Sequence, residues 1–356
     1  MTLSANSIMK PHLNLIAVLC AVGIAGTVNA QSPTLAIYSA RHYPSDTALY
    51  QAFTKATGIA IKRVDADDAG ILARLKAEGS ASPADVILLV DAARLYRGEE
   101  QGLFQPIASE RLTQAIPAHL RSAPDSAGKT AWFGFSTRAR IVVYDKARVK
   151  PEEVDSYEKL GQPHNRGRIC IRSGSHPYNL SLVGALMQHW GEAATEQWLK
   201  GVVANLARAP KGGDTDQIRG VAAGECAIAV TNSYYLARLM RSDKPADRAV
   251  AEKVGVVFPN QNSWGTHMNV AGGAVARHAP HPEAAIRFLE YLASPPAQAH
   301  FADGNDEWPA ALGVAFVNPA LQAMSPKGFK SETLPVSRVG QNQTRVQQML
   351  DRVGFK

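Results

Sequence analysis

Phenol and imidazole groups recur together in this chain: His42 and Tyr43 in "SARHYP", His176 and Tyr178 in "SGSHPY", and the doublet Tyr234-Tyr235 in "TNSYYLARL". With ten tyrosines in 356 residues, an adjacent pair arises by chance in roughly one such chain in four. The doublet therefore acquires meaning only if the fold brings the other phenols to it. A ligand met by several phenols is a cation, an aromatic-stacked organic molecule or a sugar.

Phenolate is a hard, anionic oxygen donor, and a set of phenols with an imidazole suits Fe³⁺ better than a soft metal. The free phenol titrates near pH ~10, so only a strongly charged cation holds several deprotonated near neutrality. Zinc is disfavoured, because its sites use Cys, His and carboxylates and neither HExxH nor paired CxxC occurs.

The elements around these residues alternate. "TLAIYSA" (34 to 40) predicts a strand, and Ser45 predicts the cap of a helix running through Thr57 and stopped by Gly58. "IAIKRV" (59 to 64) predicts a strand, "AGILARLKAEG" (69 to 79) a helix and "ADVILLV" (84 to 90) a strand. Residues 131 to 146 hold two β-rich runs where the chain leaves a first lobe. A second set follows, with strand "RICIR" (168 to 172), helices over 179 to 190, 191 to 206 and 215 to 225, and strand "CAIAVTN". "VGVVFPN" (254 to 260) and "HMNVAGGAVAR" (267 to 277) read as the return path, followed by a helix over 281 to 294. The alternation predicts a parallel α/β sheet. Ligands of such sheets sit outside the carboxyl ends of strands, and three strand ends here deliver phenols: Tyr43, Tyr178, and Tyr234 with Tyr235. Adjacent side chains diverge on a strand, so the chain must leave strand geometry at Ser233 for both doublet oxygens to face one ion.

Residues 1–30 read as a secretory signal, with Lys10 before an apolar stretch from Leu13 to Val28 and small residues ending in Ala30. Leu19 before Cys20 argues against a lipobox. Cleavage after Ala30 removes one lysine and leaves 38 − 1 = 37 basic against 31 acidic residues, a formal +6. That surplus is interleaved with acids and aromatics are absent from it, so no nucleic-acid partner is expected. About 325 residues exceed what one core holds, and two lobes are expected. Cys170 and Cys226 remain after export to an oxidising compartment. Neighbouring parallel strands lie about 4.8 Å apart, close enough for the pair to bridge; two buried free thiols are the alternative.

Other residues have plainer readings. Asp214 reads as a helix cap, Tyr144 and Tyr157 as packing or surface residues, and Asp67 and Asp68 lack a calcium-loop pattern. His176 reads as a loop histidine. No GxSxG, P-loop, HExxH or SxxK element is present, so an enzyme is not expected.

Five stretches, "YSARHYPSD" (38 to 46), "FSTRARIVVYD" (135 to 145), "GRICIRSGSHPYN" (167 to 179), "GGDTDQIRGVAAGEC" (212 to 226) and "TNSYYLARL", together resemble the periplasmic ferric-ion-binding proteins of ABC-type iron importers, in particular the FutA-like branch. The resemblance covers essentially the whole mature chain. It implies a two-lobe type II periplasmic-binding-protein fold, α/β, with ferric iron in the cleft between lobes and delivery to an inner-membrane ABC permease. It also implies a monomeric periplasmic protein. The implied ligands are His42 and Tyr43 from the first lobe and Tyr178, Tyr234 and Tyr235 from the second. Four phenolates around Fe³⁺ total 3 − 4 = −1, and an arginine offsets that charge without competing for the metal. Arg138, in the "STRAR" stretch, is taken for this role ahead of Arg41. The expected division is 1–30 signal peptide, 31–137 first part of lobe one, 138–259 lobe two, and 260–356 return to lobe one plus C-terminal helices free to pack on lobe two. The same receptor fold holding another small ligand or anion is the alternative.

Overall fold

The computed structural model describes residues 34–41 and 43–356. The expected signal segment and His42 lie outside the described residues. Ten strands form the sheet: β1 (Thr34–Ser39), β2 (Ala60–Asp65), β3 (Val86–Leu89), β4 (Phe104–Gln105), β5 (Phe133–Asp145), β6 (Ile169–Cys170), β7 (Ile228–Asn232), β8 (Val254–Val257), β9 (Met268–Ala276) and β10 (Trp308–Pro309). Their order is β2-β1-β3-β9-β5-β7-β6, with β8 and β10 also on β5 and β4 on β9.

The parallel pairing expected from the alternation holds within each of the two sets, inside a sheet that is mixed as a whole. β1 runs parallel to β2 and β3, and β6 parallel to β7, as right-handed βαβ units require. β9 runs antiparallel to β3 and β5, and β5 antiparallel to β7. These strands carry the chain away from the first set and back, so they oppose their neighbours. The two β-rich runs of 131 to 146 are one strand of 13 residues. Its first half pairs with β9 as far as Ala139, and its second half pairs with β7 from Arg140 onwards.

Strand β5 thus belongs to more than one core. Phe133 and Phe135 pack into the largest apolar cluster, with β1, β3 and the helices Asp46–Thr57 and Pro282–Leu292. Val142 joins a second cluster with Leu182, Leu186, Trp198 and Met349. Ala139, Ile141 and Val143 join a third with Ile218, Leu236 and Leu321. The pleat places Ser136, Arg138 and Arg140 two apart along β5, on one face, and all three are buried.

Local signals decide where the helices beside the phenols begin and end. Gly58 stops the Asp46–Thr57 helix in the left-handed region at φ 73°, a conformation that a side chain resists. Ser45 stands at the N-cap position but makes no cap bond; its hydroxyl turns to Asn305 instead. Pro177 opens the Pro177–Trp190 helix, where its missing N–H is harmless.

Cys170 and Cys226, 56 positions apart in sequence, are joined by a disulfide with Cα atoms 5.8 Å apart. Cys170 ends β6 and Cys226 lies two residues before β7, the parallel neighbour of β6. In the chain-entropy account a closed loop of this length stabilises by about 4 kcal/mol. Cys226→Ser is therefore expected to lower the unfolding free energy by that order, read as a reduced urea midpoint; an unchanged midpoint refutes it.

Candidate metal centre

Each phenol is delivered where a strand gives way to a helix. Tyr43 lies in the connection from β1 to the Asp46–Thr57 helix, where its carbonyl accepts from Asp46 N at 3.0 Å. Tyr178 is the second residue of the Pro177–Trp190 helix. β7 ends at Asn232, and the Ser233–Arg241 helix begins at once, so Tyr234 and Tyr235 are its second and third residues. The doublet therefore does leave strand geometry at Ser233. Successive helical side chains are about 100° apart rather than opposed, and a helix N-terminus favours negative charge through its free N–H groups and dipole.

The phenols converge. The hydroxyls of Tyr178 and Tyr234 are 2.9 Å apart. Tyr43 meets Tyr234 edge-on at 6.4 Å between ring centroids, and Tyr234 and Tyr235 lie 4.2 Å apart. Tyr234 is 2% exposed, while the other three are half-buried. All four tyrosines singled out in the sequence thus come together. Among the described residues no group of three or more His, Cys, Asp or Glu side chains is placed to hold a metal.

Guanidinium groups surround the cluster. Arg172, Arg138 and Arg140 hold their Cζ atoms 5.0, 5.8 and 5.9 Å from the Tyr178 ring centroid. Arg41 lies 4.8 Å from the Tyr43 ring, and Arg238 lies 4.9 Å from Tyr43 and 4.7 Å from Tyr234. Two buried carboxylates hold some of these cations in place. Glu307 accepts from Ser136 Oγ at 2.7 Å, Tyr43 Oη at 3.0 Å and Arg138 Nη1 at 3.3 Å, and pairs with Arg41 at 3.5 Å. Asp214 accepts from Arg140 at 2.6 Å, the backbone N–H of Asn232 at 2.7 Å and Arg172 at 3.3 Å. Arg138, which is 1% exposed, keeps Nε and Nη2 without a partner among the described residues.

Desolvation pushes three phenols above their ordinary range. For Tyr43, burial acts first and the Glu307 carboxylate adds to it, with Arg138 and Arg41 opposing. Burial dominates for Tyr178, with Arg138 again opposing. Tyr234 is pushed well up, by burial and then by its neighbouring phenols. Without a cation these three are neutral at any physiological pH. The arrangement can become anionic only when a strongly polarising charge enters it.

Other sequence readings are refined. Asp214, expected as a cap, opens the Asp214–Ala222 helix but turns its carboxylate inward to Arg140, Arg172 and the end of β7. His176, set aside as a loop histidine, caps the Pro177–Trp190 helix by accepting from Tyr178 N at 3.3 Å. Burial and then Arg172 push its imidazole down to about 3, so it stays neutral and able to accept. Tyr157 is buried and donates to the Arg140 carbonyl at 2.5 Å. Glu307 and Arg238 are the residues of the site that sequence reasoning misses. Glu307 lies 264 positions from Tyr43, beyond any local pattern. Arg238 stands four residues after Tyr234 and was findable once the doublet is read as a helix start rather than a strand end.

The sequence pattern of the family described as bacterial extracellular solute-binding protein matches residues 48–326. The chain belongs to that family. Among relatives of this solute-binding protein, iron uptake protein A1 of Synechocystis sp. is 46% identical over 321 residues, which cover 90% of this chain and 87% of its own. The structure of Trichodesmium FutA (IdiA) in complex with iron and citrate ligands superposes with a TM-score of 0.86 at 47% identity, over 91% of this chain and 100% of that one. The major ferric iron-binding protein of Neisseria meningitidis is 27% identical over 290 residues, 80% of this chain and 84% of its own. The fold of this solute-binding protein is the type II periplasmic-binding-protein fold expected from its sequence.

Proposed function

We propose that this protein is an extracytoplasmic receptor that captures Fe³⁺ through Tyr43, Tyr178, Tyr234 and Tyr235, with His42 as a fifth ligand, and delivers it to an ABC permease. The observation that carries this reading is the convergence of four phenols from three separate strand–helix junctions, with Tyr178 and Tyr234 at 2.9 Å. Similarity to proteins named for iron uptake and ferric-iron binding supports it.

Four phenolates leave a ferric centre one unit negative. Arg138 and Arg238 stand beside the rings and offset that charge, and Arg138 keeps two N–H groups without a partner among the described residues. Arg138 and Arg238 act through charge, not as ligands. The protein works as a monomer in the periplasm after loss of residues 1–30. It is a binder and not an enzyme. Lobe one spans 31–137 and returns over 260–356, the C-terminal helices of that stretch packing on lobe two through Leu321 and Met349; lobe two spans 138–259, and β5 and β9 are the crossings.

Phenolate-to-iron charge transfer absorbs visible light. Adding a ferric chelate to metal-free protein is expected to produce colour with an end point of one iron per chain. A colourless protein that leaves the chelate untouched overturns the reading.

A further inference from the structure

The helix that carries the doublet is held at its other end by a contact that no ligand role explains. Arg241, the last residue of the Ser233–Arg241 helix, donates from Nη1 to Asp306 Oδ1 at 2.5 Å and to the carbonyl of Asp303 at 2.7 Å. Asp306 is 4% exposed and also accepts from Asn318 Nδ2 at 2.8 Å. It closes the Pro295–Asn305 helix in the left-handed region at φ 59°. Among the described residues only one other non-glycine, Asn260, has a positive φ. A side chain in that region is held there by its surroundings, and a glycine would relieve the strain. The carboxylate is therefore kept for what it binds.

The two partners belong to different cores. Leu236, Ala237 and Leu239 of the doublet's helix pack into the third cluster, whereas Ala297 and Phe301 of the Pro295–Asn305 helix pack into the first. The residue after Asp306 is Glu307, which accepts from Tyr43 Oη. One dipeptide thus grips both sides of the phenol cluster: Glu307 holds Tyr43, and Asp306 holds the helix bearing Tyr234 and Tyr235.

We propose that Arg241 and Asp306 form a clasp that keeps the two sets of phenols together and sets how slowly the cargo leaves. Both are positioning residues and neither touches the metal. The proposal rests on the ferric reading for its cargo, while the clasp itself is a property of the chain. A buried carboxylate robbed of its cation is left uncompensated in the clasped arrangement and is relieved by hydration when the sides part. Breaking the pair therefore favours the parted arrangement, and a binding equilibrium moves only by such a difference between states.

The test uses Asp306→Asn, Arg241→Gln and the double variant. Asparagine tolerates the left-handed backbone and still accepts from Asn318, so Asp306→Asn removes the charge alone. Loaded protein is mixed with excess chelator and the visible band followed. Each single variant is expected to release iron about tenfold faster, equivalent to about 1.4 kcal/mol, with the band position unchanged because the ligands are unchanged. The double variant is expected to be no faster than the faster single, as for two halves of one contact. Added salt is expected to speed release from the native protein more than from the variants.

Small-angle scattering of the metal-free proteins is expected to show the variants more expanded than the native chain. Release within twofold of native, or single effects that multiply in the double variant, overturns the clasp. If the native protein takes up no iron, the ferric reading fails, and the scattering comparison alone then decides: identical profiles overturn the clasp and expanded variants support it.

Discussion

With Tyr178→Phe and Tyr234→Phe combined, the visible band is expected to collapse and ferric affinity to fall by at least about 10²–10⁴-fold, taking for each lost oxygen the 10–100-fold that removal of even an outer partner costs. The change is confined to chemistry. Both rings remain to fill their space, and the one hydrogen bond removed, between the two hydroxyls at 2.9 Å, contributes about 1 kcal/mol. The metal-free double variant should unfold close to the native midpoint, so loss of binding will not reflect loss of fold. Tyr144→Phe is the control: that ring packs on Gly255, away from the cluster, and its variant should bind as native. A double variant that keeps the band would remove both oxygens from the ligand set.

The second large effect is on pH. Tyr43, Tyr178 and Tyr234 all have their titration pushed upward in the metal-free protein, chiefly by desolvation. A group with a raised folded-state value holds its proton throughout the neutral range, and coordination must remove it. Each such phenol releases one proton on loading, so binding strengthens as pH rises and weakens as it falls. Three protons make the apparent affinity change about 10³-fold per pH unit, or roughly 4 kcal/mol. The slope persists while pH stays below all three values, across the neutral and mildly acidic range. Proton release on adding a ferric chelate, corrected for the chelator's own uptake, should be at least three per iron. A count near one would leave most of these phenols outside the coordination sphere.

Much of this site was legible because it is built from local chain breaks. A strand, a short polar turn and a helix form a pattern that composition and periodicity reveal, and the rule that ligands sit at carboxyl ends of strands then pointed to Tyr43, Tyr178, Tyr234 and Tyr235 at once. The bend at Ser233 follows from strand geometry once both doublet oxygens must face one ion, as the family resemblance implies, and the helix does start there. What stayed hidden is non-local. Glu307 joins Tyr43, Ser136, Arg41 and Arg138 from the far end of the chain, and nothing adjacent to it in sequence marks it. Asp214 looks like a cap because it opens a helix, yet its environment is decided by Arg140 and Arg172, 74 and 42 positions away. The antiparallel direction of β5 and β9 is hidden for a related reason: a strand's direction depends on where the chain must go next, which local propensity does not encode.

The two carboxylates nearest the phenols, Glu307 and Asp214, are each already engaged by two arginines. Calcium and magnesium are recognised by carboxylate and carbonyl oxygens and rarely by neutral phenols. A hard divalent ion arriving at this cleft therefore finds its preferred donors taken, and phenols that it polarises too weakly to ionise. Selectivity on this reading resides less in a snug fit to iron than in what the empty cleft withholds, so that the commonest competing ions are ignored rather than outcompeted.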